Sequence, residues 1–361
     1  MTDGVTNLVN TTSSESRFQR GKRFVPQGVN GYDENWYPIC LAREVKPGKL
    51  HGFEYLNGKV IVFRTHDGKA QVLSAYCRHL GVDLSEGSVV GSTIRCPYHH
   101  WDYDQTGQCV KTAIGAEPPP RAKLFEFPTR ESFGLIWAYN GEEPGYDLPV
   151  FPVPEHELEY MVCRASEVPM DPFMLFSNTM DLQHLISLHK AKFDSLPDKF
   201  EVGERTISYN QAMSMPKLGH STQQVTCHGT NCITLVSEVK GRETFMMSAG
   251  LAIRGPLTKT FNVSATRRTE ASTCGSVLSQ MREKLAIRAH IKLVDAFGKR
   301  LNAEDDPIFR TMSPRMDRLA GNADKALKTY FDFATSYPRS TVAQDLICND
   351  YRDGAQRIEV V

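Results

Sequence analysis

Two motifs characterise the first third of this chain: Cys77-Arg-His-Leu-Gly81 and Cys96-Pro-Tyr-His-His-Trp101, with sixteen residues between His79 and Cys96. Each carries one cysteine and one histidine, spaced C-x-H in the first stretch and C-x-x-H in the second. Thiolates are soft, charged ligands that suit iron–sulfur chemistry, and imidazoles raise the reduction potential above that of an all-thiolate cluster. The spacing therefore predicts a [2Fe–2S] centre with Cys77 and Cys96 on one iron and His79 and His99 on the other.

A structural zinc ion is the alternative ligand for these four residues. The usual zinc spacing begins C-x(2–4)-C rather than C-x-H, which favours the iron–sulfur interpretation. The flanking residues Pro97, Trp101, Tyr103 and Gly107 also fit that interpretation. Cys109 lies outside the pattern, and we interpret it as a packed free thiol.

The cluster stretches lie in a region that reads as short strands separated by turns, residues 36–139. Residues 59–64 are apolar and β-branched, and Asp67-Gly68 follows as a hairpin signal before the next apolar run, residues 71–75. Three prolines in residues 145–154 then indicate a boundary. The sequence predicts an arm at 1–35, an all-β domain at 36–145 and a second domain at 146–361.

The second domain contains both helix-like and strand-like patterns of apolar residues. Helical spacing of apolar residues appears over 177–190 and 276–334, and longer β-rich runs lie between, over 206–267. This order predicts a sheet with helices on one side, so that the whole chain is α+β.

Composition excludes several other classes of protein. The chain has 361 residues, and 42 basic side chains balance 42 acidic ones, so nothing indicates a nucleic-acid partner. No stretch approaches the roughly 18 apolar residues of a membrane span, and residues 1–28 are polar, without the apolar core of a secretory signal. Nine cysteines, an odd number, favour a reducing cytoplasm and metal ligation over disulfides.

A second candidate metal site has the pattern N-x2-D-x2-H-x4-H, formed by Asn178, Asp181, His184 and His189. Asp181 and His184 share a helix face, whereas His189 falls about 140° round an ideal helix from His184. Both imidazoles can reach one metal only if the helix is distorted or ends between them. Two histidines and a carboxylate form the facial triad of non-haem Fe(II) oxygenases, and two ordinary helix histidines are the alternative.

Taken together, these motifs resemble those of the Rieske non-haem iron oxygenases. Residues 77–81 and 96–101 look like the cluster-binding loops of that family, and residues 178–189 are similar to its mononuclear-iron motif. One residue departs from the pattern: ring-hydroxylating members usually have glycine where His100 stands, and the His-His-Trp variant is similar to that of an arylamine N-oxygenase. His100 could be a remote donor, a docking residue or a plain surface histidine.

The resemblance assigns roles to the second site. His184 and His189 would be iron ligands, and Asn178 would lie near the iron. The Asp181 carboxylate would bond a ligand histidine of this site and, across a subunit contact, His99 or His79 of a neighbouring subunit.

The family takes its third ligand, an aspartate, from a late helix. Glu304-Asp-Asp-Pro-Ile-Phe309 fits the family pattern with Asp305 as that ligand. The alternative is an acidic cap at a helix N-terminus with Pro307 in the first turn, and both can hold if Asp306 is the cap.

By this resemblance the chain is a terminal oxygenase (alpha-type) subunit, with an all-β Rieske domain and a helix-grip catalytic domain. Its cofactors would be a [2Fe–2S] Rieske cluster and mononuclear Fe(II). No Gly-rich dinucleotide fingerprint is found, so electrons from NAD(P)H would arrive through a separate reductase and possibly a ferredoxin. A head-to-tail homotrimer is expected.

The reaction expected from the resemblance is oxidation of a small apolar or aromatic substrate with dioxygen, by mono-hydroxylation, demethylation or N-oxygenation. Ring cis-dihydroxylation and a non-catalytic electron carrier are the alternatives.

Overall fold

The computed structural model describes residues 25–274, 276–313, 319, 321–342 and 344–348, so most of the predicted arm lies outside the described residues. Its first part is built of short antiparallel strands, with single turns of 3-10 helix at Ala42–Glu44 and Leu84–Glu86. The strands are β1 Tyr32–Asp33, β2 Trp36–Leu41, β3 Lys49–Tyr55, β4 Gly58–Arg64, β5 Ala70–Ser74, β6 Ser88–Val90, β7 Thr93–Arg95, β8 Asp102–Tyr103, β9 Cys109–Lys111, β10 Glu126–Phe127, β11 Thr129–Ser132 and β12 Leu135–Tyr139.

Three small sheets form this part, with strand orders β10-β5-β4-β3, β11-β12-β2 and β6-β7-β8-β9. The predicted hairpin is the pair β4–β5, in which Val60 lies opposite Ser74. Gly68 in its turn has φ +91°, a conformation that glycine adopts without strain. The sheet β6–β9 positions the cluster motif, because one cluster loop precedes β6 and the other joins β7 to β8.

The second part is an antiparallel sheet with helices, and further 3-10 turns lie at Glu155–Glu157, Asn178–Met180 and Gly321–Asp324. Its elements are β13 Leu158–Val168, α1 Pro172–Ser177, α2 Leu182–Ser187, β14 Lys192–Phe193, β15 Glu201–Val202, β16 Thr206–Met215, β17 Gly219–His228, β18 Cys232–Val239, β19 Arg242–Arg254, β20 Leu257–Arg267, α3 Glu270–Thr273, α4 Val277–Phe309, α5 Lys325–Thr335, β21 Arg339–Ser340 and α6 Gln344–Ile347.

The large sheet has the order β13-β20-β19-β18-β17-β16-β14, with β15 beside β16, and α4 packs against β13 and β20. Strand β16 alternates between buried and more exposed residues, as expected for a sheet that buries one face more than the other. None of the described helices is both long and apolar enough to cross a membrane. The predicted α+β class, a strand-rich first domain followed by a helix-grip sheet, is confirmed.

The two parts share a core instead of touching through a few surface residues. Trp36 and Trp137 of the first part pack in one buried cluster with Phe245 and Phe261 of the large sheet. The last residues of the predicted arm also belong to the fold, because β1 pairs with β21 and Tyr32 is buried. The first part is therefore held against the sheet that carries the second candidate site.

Candidate metal centres

The cluster loops hold their two cysteines in matching environments. The Sγ atoms of Cys77 and Cys96 lie within hydrogen-bond reach, and each accepts amide N–H groups from the residues two and three positions further along its own loop. The Cys96 thiol donates to Cys77, and this hydrogen bond lowers the pKa of Cys77. A thiolate surrounded by amide donors is the form that binds iron, so both cysteines fit a cluster.

The two histidines of the loops face one another. Their Nδ1 atoms are 3.0 Å apart, and the ring of His79 stacks on Trp101 with 4.5 Å between ring centroids. In the described residues, no three of the four candidate cluster ligand atoms lie within 4.8 Å of one another. A single zinc ion needs such convergence, whereas a two-iron cluster separates its donors, so the geometry favours the cluster.

Tyr103 positions a hydrogen bond at the cluster motif. Its hydroxyl accepts from the amide of Arg78 at 3.0 Å and lies 3.1 Å from the Sγ of Cys77, to which it can donate. Because such a bond stabilises the more negative, reduced state, Tyr103→Phe is expected to lower the cluster's reduction potential by about 50 mV. Protein-film voltammetry measures this shift. The matched control is Tyr98→Phe at an exposed tyrosine of the same motif, and an equal shift there would contradict the assignment.

His100 is exposed and has φ +52°. A residue with this left-handed backbone is usually glycine, which explains why glycine is common at this position in the family pattern. The His100 side chain makes no hydrogen bond to another of the described residues. The structure therefore favours the interpretation of His100 as a surface histidine.

The second site forms where a helical segment is interrupted twice. Helix α1 ends at Ser177, and Asp181, with ψ 87°, separates the following 3-10 turn from α2. Helix α2 then ends at Ser187, and Lys190 has φ +60°. A continuous helix over 177–190 is thus wrong, but the predicted requirement that the helix end between His184 and His189 is met.

His184, His189 and Asp305 converge, each offering one ligand atom within 4.8 Å of the others. The Nε2 of His189 lies 3.0 Å from the Oδ1 of Asp305, and Asn178 donates from its Nδ2 to the Oδ2 of Asp305 at 3.2 Å. The Nδ1 of His184 donates to the backbone carbonyl of Asp181. That bond leaves Nε2 of His184 as its ligand atom, so two imidazoles and a carboxylate fit one iron with open positions.

The Asp181 carboxylate accepts hydrogen bonds from backbone amides and not from the His184 ring. Its Oδ1 accepts the amides of Gln183 and His184 at 3.1 and 3.2 Å and so caps helix α2. The bond to the His184 ring comes from the Asp181 carbonyl, whereas the sequence interpretation gave it to the carboxylate. The carboxylate is only half-buried.

Asp305 lies near the end of α4, so the alternative interpretation as an N-terminal acidic cap is wrong. Carboxylates near a helix C-terminus oppose the helix dipole. Ion pairs offset this effect at the two neighbouring acids, with Arg300 2.9 Å from Glu304 and Arg310 2.7 Å from Asp306. Asp305 has no arginine partner among the described residues, and its carboxylate faces His184 and His189.

Burial shifts the pKa of two of the three candidate ligands, Asp305 and His184. Burial raises the pKa of Asp305, and the nearby histidines oppose that rise. Burial likewise lowers the pKa of His184, which favours the neutral imidazole that binds metals.

Glu304 is a further residue of this site, with a role that its sequence motif did not specify. Its Oε2 accepts from the Nδ1 of His189 at 2.9 Å, which fixes the ring with Nε2 toward Asp305. Outer carboxylates of this kind typically contribute 10–100-fold to metal affinity. Glu304→Gln is therefore expected to weaken iron binding about 10-fold, measured as iron retained against a chelator. Asp306→Asn, two residues away, is the control and should retain its iron; equal loss in both variants would contradict the role of Glu304.

A cavity of about 550 Å³ lies beside the triad, between the large sheet and α4. Asn178 and Phe309 line its metal end, and Met246 and Met247 line it on the sheet side. Four other methionines of this domain are buried in packed clusters and do not line the cavity, namely Met170, Met174, Met213 and Met215. The site therefore combines three converging ligands with a largely apolar chamber.

Known proteins share these features. Residues 35–126 match the family model of the Rieske [2Fe-2S] domain. The oxygenase component of 3-ketosteroid-9-alpha-monooxygenase from Rhodococcus rhodochrous is 28% identical over 199 residues, 53% of this chain and 52% of that protein. Cholesterol 7-desaturase from Bombyx mori is 29% identical over 194 residues, 53% of this chain and 42% of that protein. The chain thus spans about half the length of the curated relatives it matches.

Solved structures extend the likeness to the second domain. NdmA of Pseudomonas putida CBB5 with caffeine has a TM-score of 0.64 at 20% identity, covering 82% of this chain and 88% of that one. Dicamba monooxygenase bound to dicamba has a TM-score of 0.58 at 19% identity, covering 90% and 99%. These likenesses establish the fold. The chain contains a Rieske [2Fe-2S] domain, and over about half of its length it is similar to Rieske oxygenase components.

Proposed function

We propose that the chain is the terminal oxygenase subunit of a multicomponent system that oxidises a small, largely apolar or aromatic substrate with dioxygen. The observation that carries the proposal is the convergence of His184, His189 and Asp305 beside the cavity. A non-catalytic Rieske electron carrier would need the cluster loops alone. In this proposal residues 36–145 are the Rieske domain and residues 146–361 the catalytic domain.

The chemistry divides between two groups that the chain would hold. When bound, the cluster supplies single electrons and the mononuclear Fe(II) supplies a place for dioxygen to be reduced. Cys77, Cys96, His79 and His99 would hold the first group, and the triad the second. The protein's own part is to orient these ligands through Tyr103, Glu304 and the Asp181 backbone, and to place an apolar substrate in the cavity with little water.

Monooxygenation is the reaction type that the relatives favour. The names of the steroid relative and of the dicamba enzyme both state monooxygenase activity. Ring cis-dihydroxylation remains the second candidate because the same ligand set serves it. The relatives' names span a ketosteroid, cholesterol, caffeine and dicamba, so mono-hydroxylation, demethylation and N-oxygenation all stay within the proposal.

Electrons and assembly involve other chains. The steroid relative is named as an oxygenase component, which supports a separate reductase, and possibly a ferredoxin, drawing on NAD(P)H. A homotrimer is proposed in which Asp181 contacts His79 or His99 of a neighbouring subunit. Leu80 and Tyr98, which are 64% and 62% exposed at the tip of the cluster loops, are apolar side chains suited to such a contact. The nine cysteines form no disulfide in the described part of the chain, which is compatible with a reducing cytoplasm.

Purified protein tests the proposal directly. We expect a brown protein with about three irons per chain, a rhombic Rieske signal after reduction and a separate non-haem iron signal. With a reductase and NADH, it should consume dioxygen faster when an oxidisable substrate is present. A colourless zinc protein would end the proposal, and two irons per chain without dioxygen consumption would leave the electron carrier.

A further inference from the structure

The charged side chains of the cavity neutralise one another. Its described lining contains two acids and two bases, and these form two pairs: Lys299 lies 2.7 Å from Asp295, and Arg310 lies 2.7 Å from Asp306. The residues of each pair are four positions apart, within α4 or at its C-terminal cap. The described lining therefore carries no net charge to attract a carboxylate or an ammonium ligand. This balance favours a neutral molecule.

Two polar residues of the sheet side are bonded to each other. They are Ser166 and Thr260: the amide of Ser166 donates to the Oγ1 of Thr260 at 3.1 Å, and that hydroxyl donates to the carbonyl of Ser166 at 3.1 Å. These two residues line the cavity but keep their hydrogen bonds within the protein. They contribute polarity without an open bond for a ligand.

Asn262 differs from them. It lies on β20 between Cys163 of β13 and Ser248 of β19, and it lines the cavity. Its Oδ1 is shielded from solvent and has no hydrogen-bond partner, and among the described lining residues it is the one such atom. An unpaired buried acceptor is unfavourable by about 1–3 kcal/mol, so the fold retains it at the expense of stability. In the lining of a cavity, such an atom can take its missing donor from a ligand.

We propose that Asn262 is a specificity-determining residue, and that the substrate is a neutral, mostly apolar molecule whose hydroxyl or N–H group donates to the Asn262 Oδ1 once the side-chain amide turns toward the cavity. The apolar body would lie against Leu235, Met246 and Phe309, which line the same cavity. With the donor fixed at Asn262, the far part of the molecule would face the metal end at Asn178. This inference rests on the proposed function for the identity of the ligand as a substrate, but the binding preference can be measured without turnover.

Ligand pairs that differ in one group test the preference. The dissociation constants of 2-naphthol against 2-methylnaphthalene, and of 4-phenylphenol against 4-methylbiphenyl, are measured by calorimetry with the purified holoprotein and with Asn262→Leu. In at least one pair the phenol should bind the original protein about tenfold more tightly, and Asn262→Leu should remove that preference while still binding the methyl compound. The anion 2-naphthoate should bind more weakly than 2-naphthol. No phenol preference in either pair, the same preference in both proteins, or tighter naphthoate binding would each overturn the proposal.

Thermal unfolding separates recognition from a structural role. Leucine is close to asparagine in size and leaves no unpaired acceptor, so Asn262→Leu should raise the unfolding midpoint of the ligand-free holoprotein by about 1–3 °C. The matched control is Thr260→Val, which removes a satisfied hydroxyl two residues away and should lower the midpoint. A fall in Asn262→Leu as large as that in Thr260→Val would make Asn262 structural and overturn the proposal. Iron content and dioxygen consumption of the same preparations report on the proposed function separately.

Discussion

Asp305→Ala is expected to remove the mononuclear iron and leave the Rieske cluster in place. The carboxylate faces the Nε2 of His189 at 3.0 Å, and the variant would leave two imidazoles without a third ligand. Because losing an outer carboxylate already reduces metal affinity or activity 10–100-fold, losing this ligand should reduce product formation by at least about 100-fold. Iron analysis should fall from about three to about two per chain, with the rhombic signal of the cluster unchanged.

Asp306→Ala is the matched control for this variant. Asp306 is the next residue of the same helix, it is an aspartate, and its carboxylate pairs with Arg310 instead of with a histidine. It should retain the iron. If Asp305→Ala kept its iron and Asp306→Ala lost it, the third ligand would be misassigned; if both kept it, the triad would not be a metal site. If Asp305→Ala lost the cluster signal together with the mononuclear iron, the variant would be misfolded, which circular dichroism would reveal.

The cluster loops were predictable because their chemistry is local in the sequence. Cys77 and His79 lie in one turn, and Cys96 and His99 in another, so the spacing alone describes both loops. The flanking hairpin was also predictable, since β-branched runs around Asp67-Gly68 encode it directly. The need for a break before His189 followed from helix geometry and was met by the end of α2 at Ser187.

The surroundings of Asp305 could not be predicted from the neighbouring residues in the sequence. Acids followed by Pro307 are typical of a helix start, but 27 residues of α4, from Val277 to Ala303, precede Glu304, and Pro307 lies two residues before the end of that helix. The role of Glu304 depends on His189, which is 115 residues away in sequence. The lining of the cavity likewise comes from distant strands, so no single motif describes Asn262.

Asp181→Asn is expected to slow electron arrival at the iron without disturbing either metal. The native carboxylate caps α2 through the amides of Gln183 and His184, and asparagine caps helices as well as aspartate does. His184 should therefore stay in place, held by the backbone carbonyl of residue 181. What the variant loses is the negative charge proposed to bond an imidazole of a neighbouring subunit's cluster. Oxidation of the reduced cluster in a single turnover should slow by about 10–100-fold.

Asp181→Ala completes this experiment, because it removes the charge and the cap together. It should slow cluster oxidation at least as much as Asp181→Asn, and it should also lower the free energy of unfolding by about 1 kcal/mol, the usual contribution of an N-cap. Stopped-flow absorbance of the cluster after mixing with dioxygen and substrate measures the rate, and metal analysis verifies about three irons in both variants. A normal rate in Asp181→Asn with a slow rate in Asp181→Ala would assign Asp181 to capping alone and refute the relay. Slow oxidation in both, with iron retained, requires the carboxylate itself, since the asparagine preserves everything else that Asp181 does in the subunit.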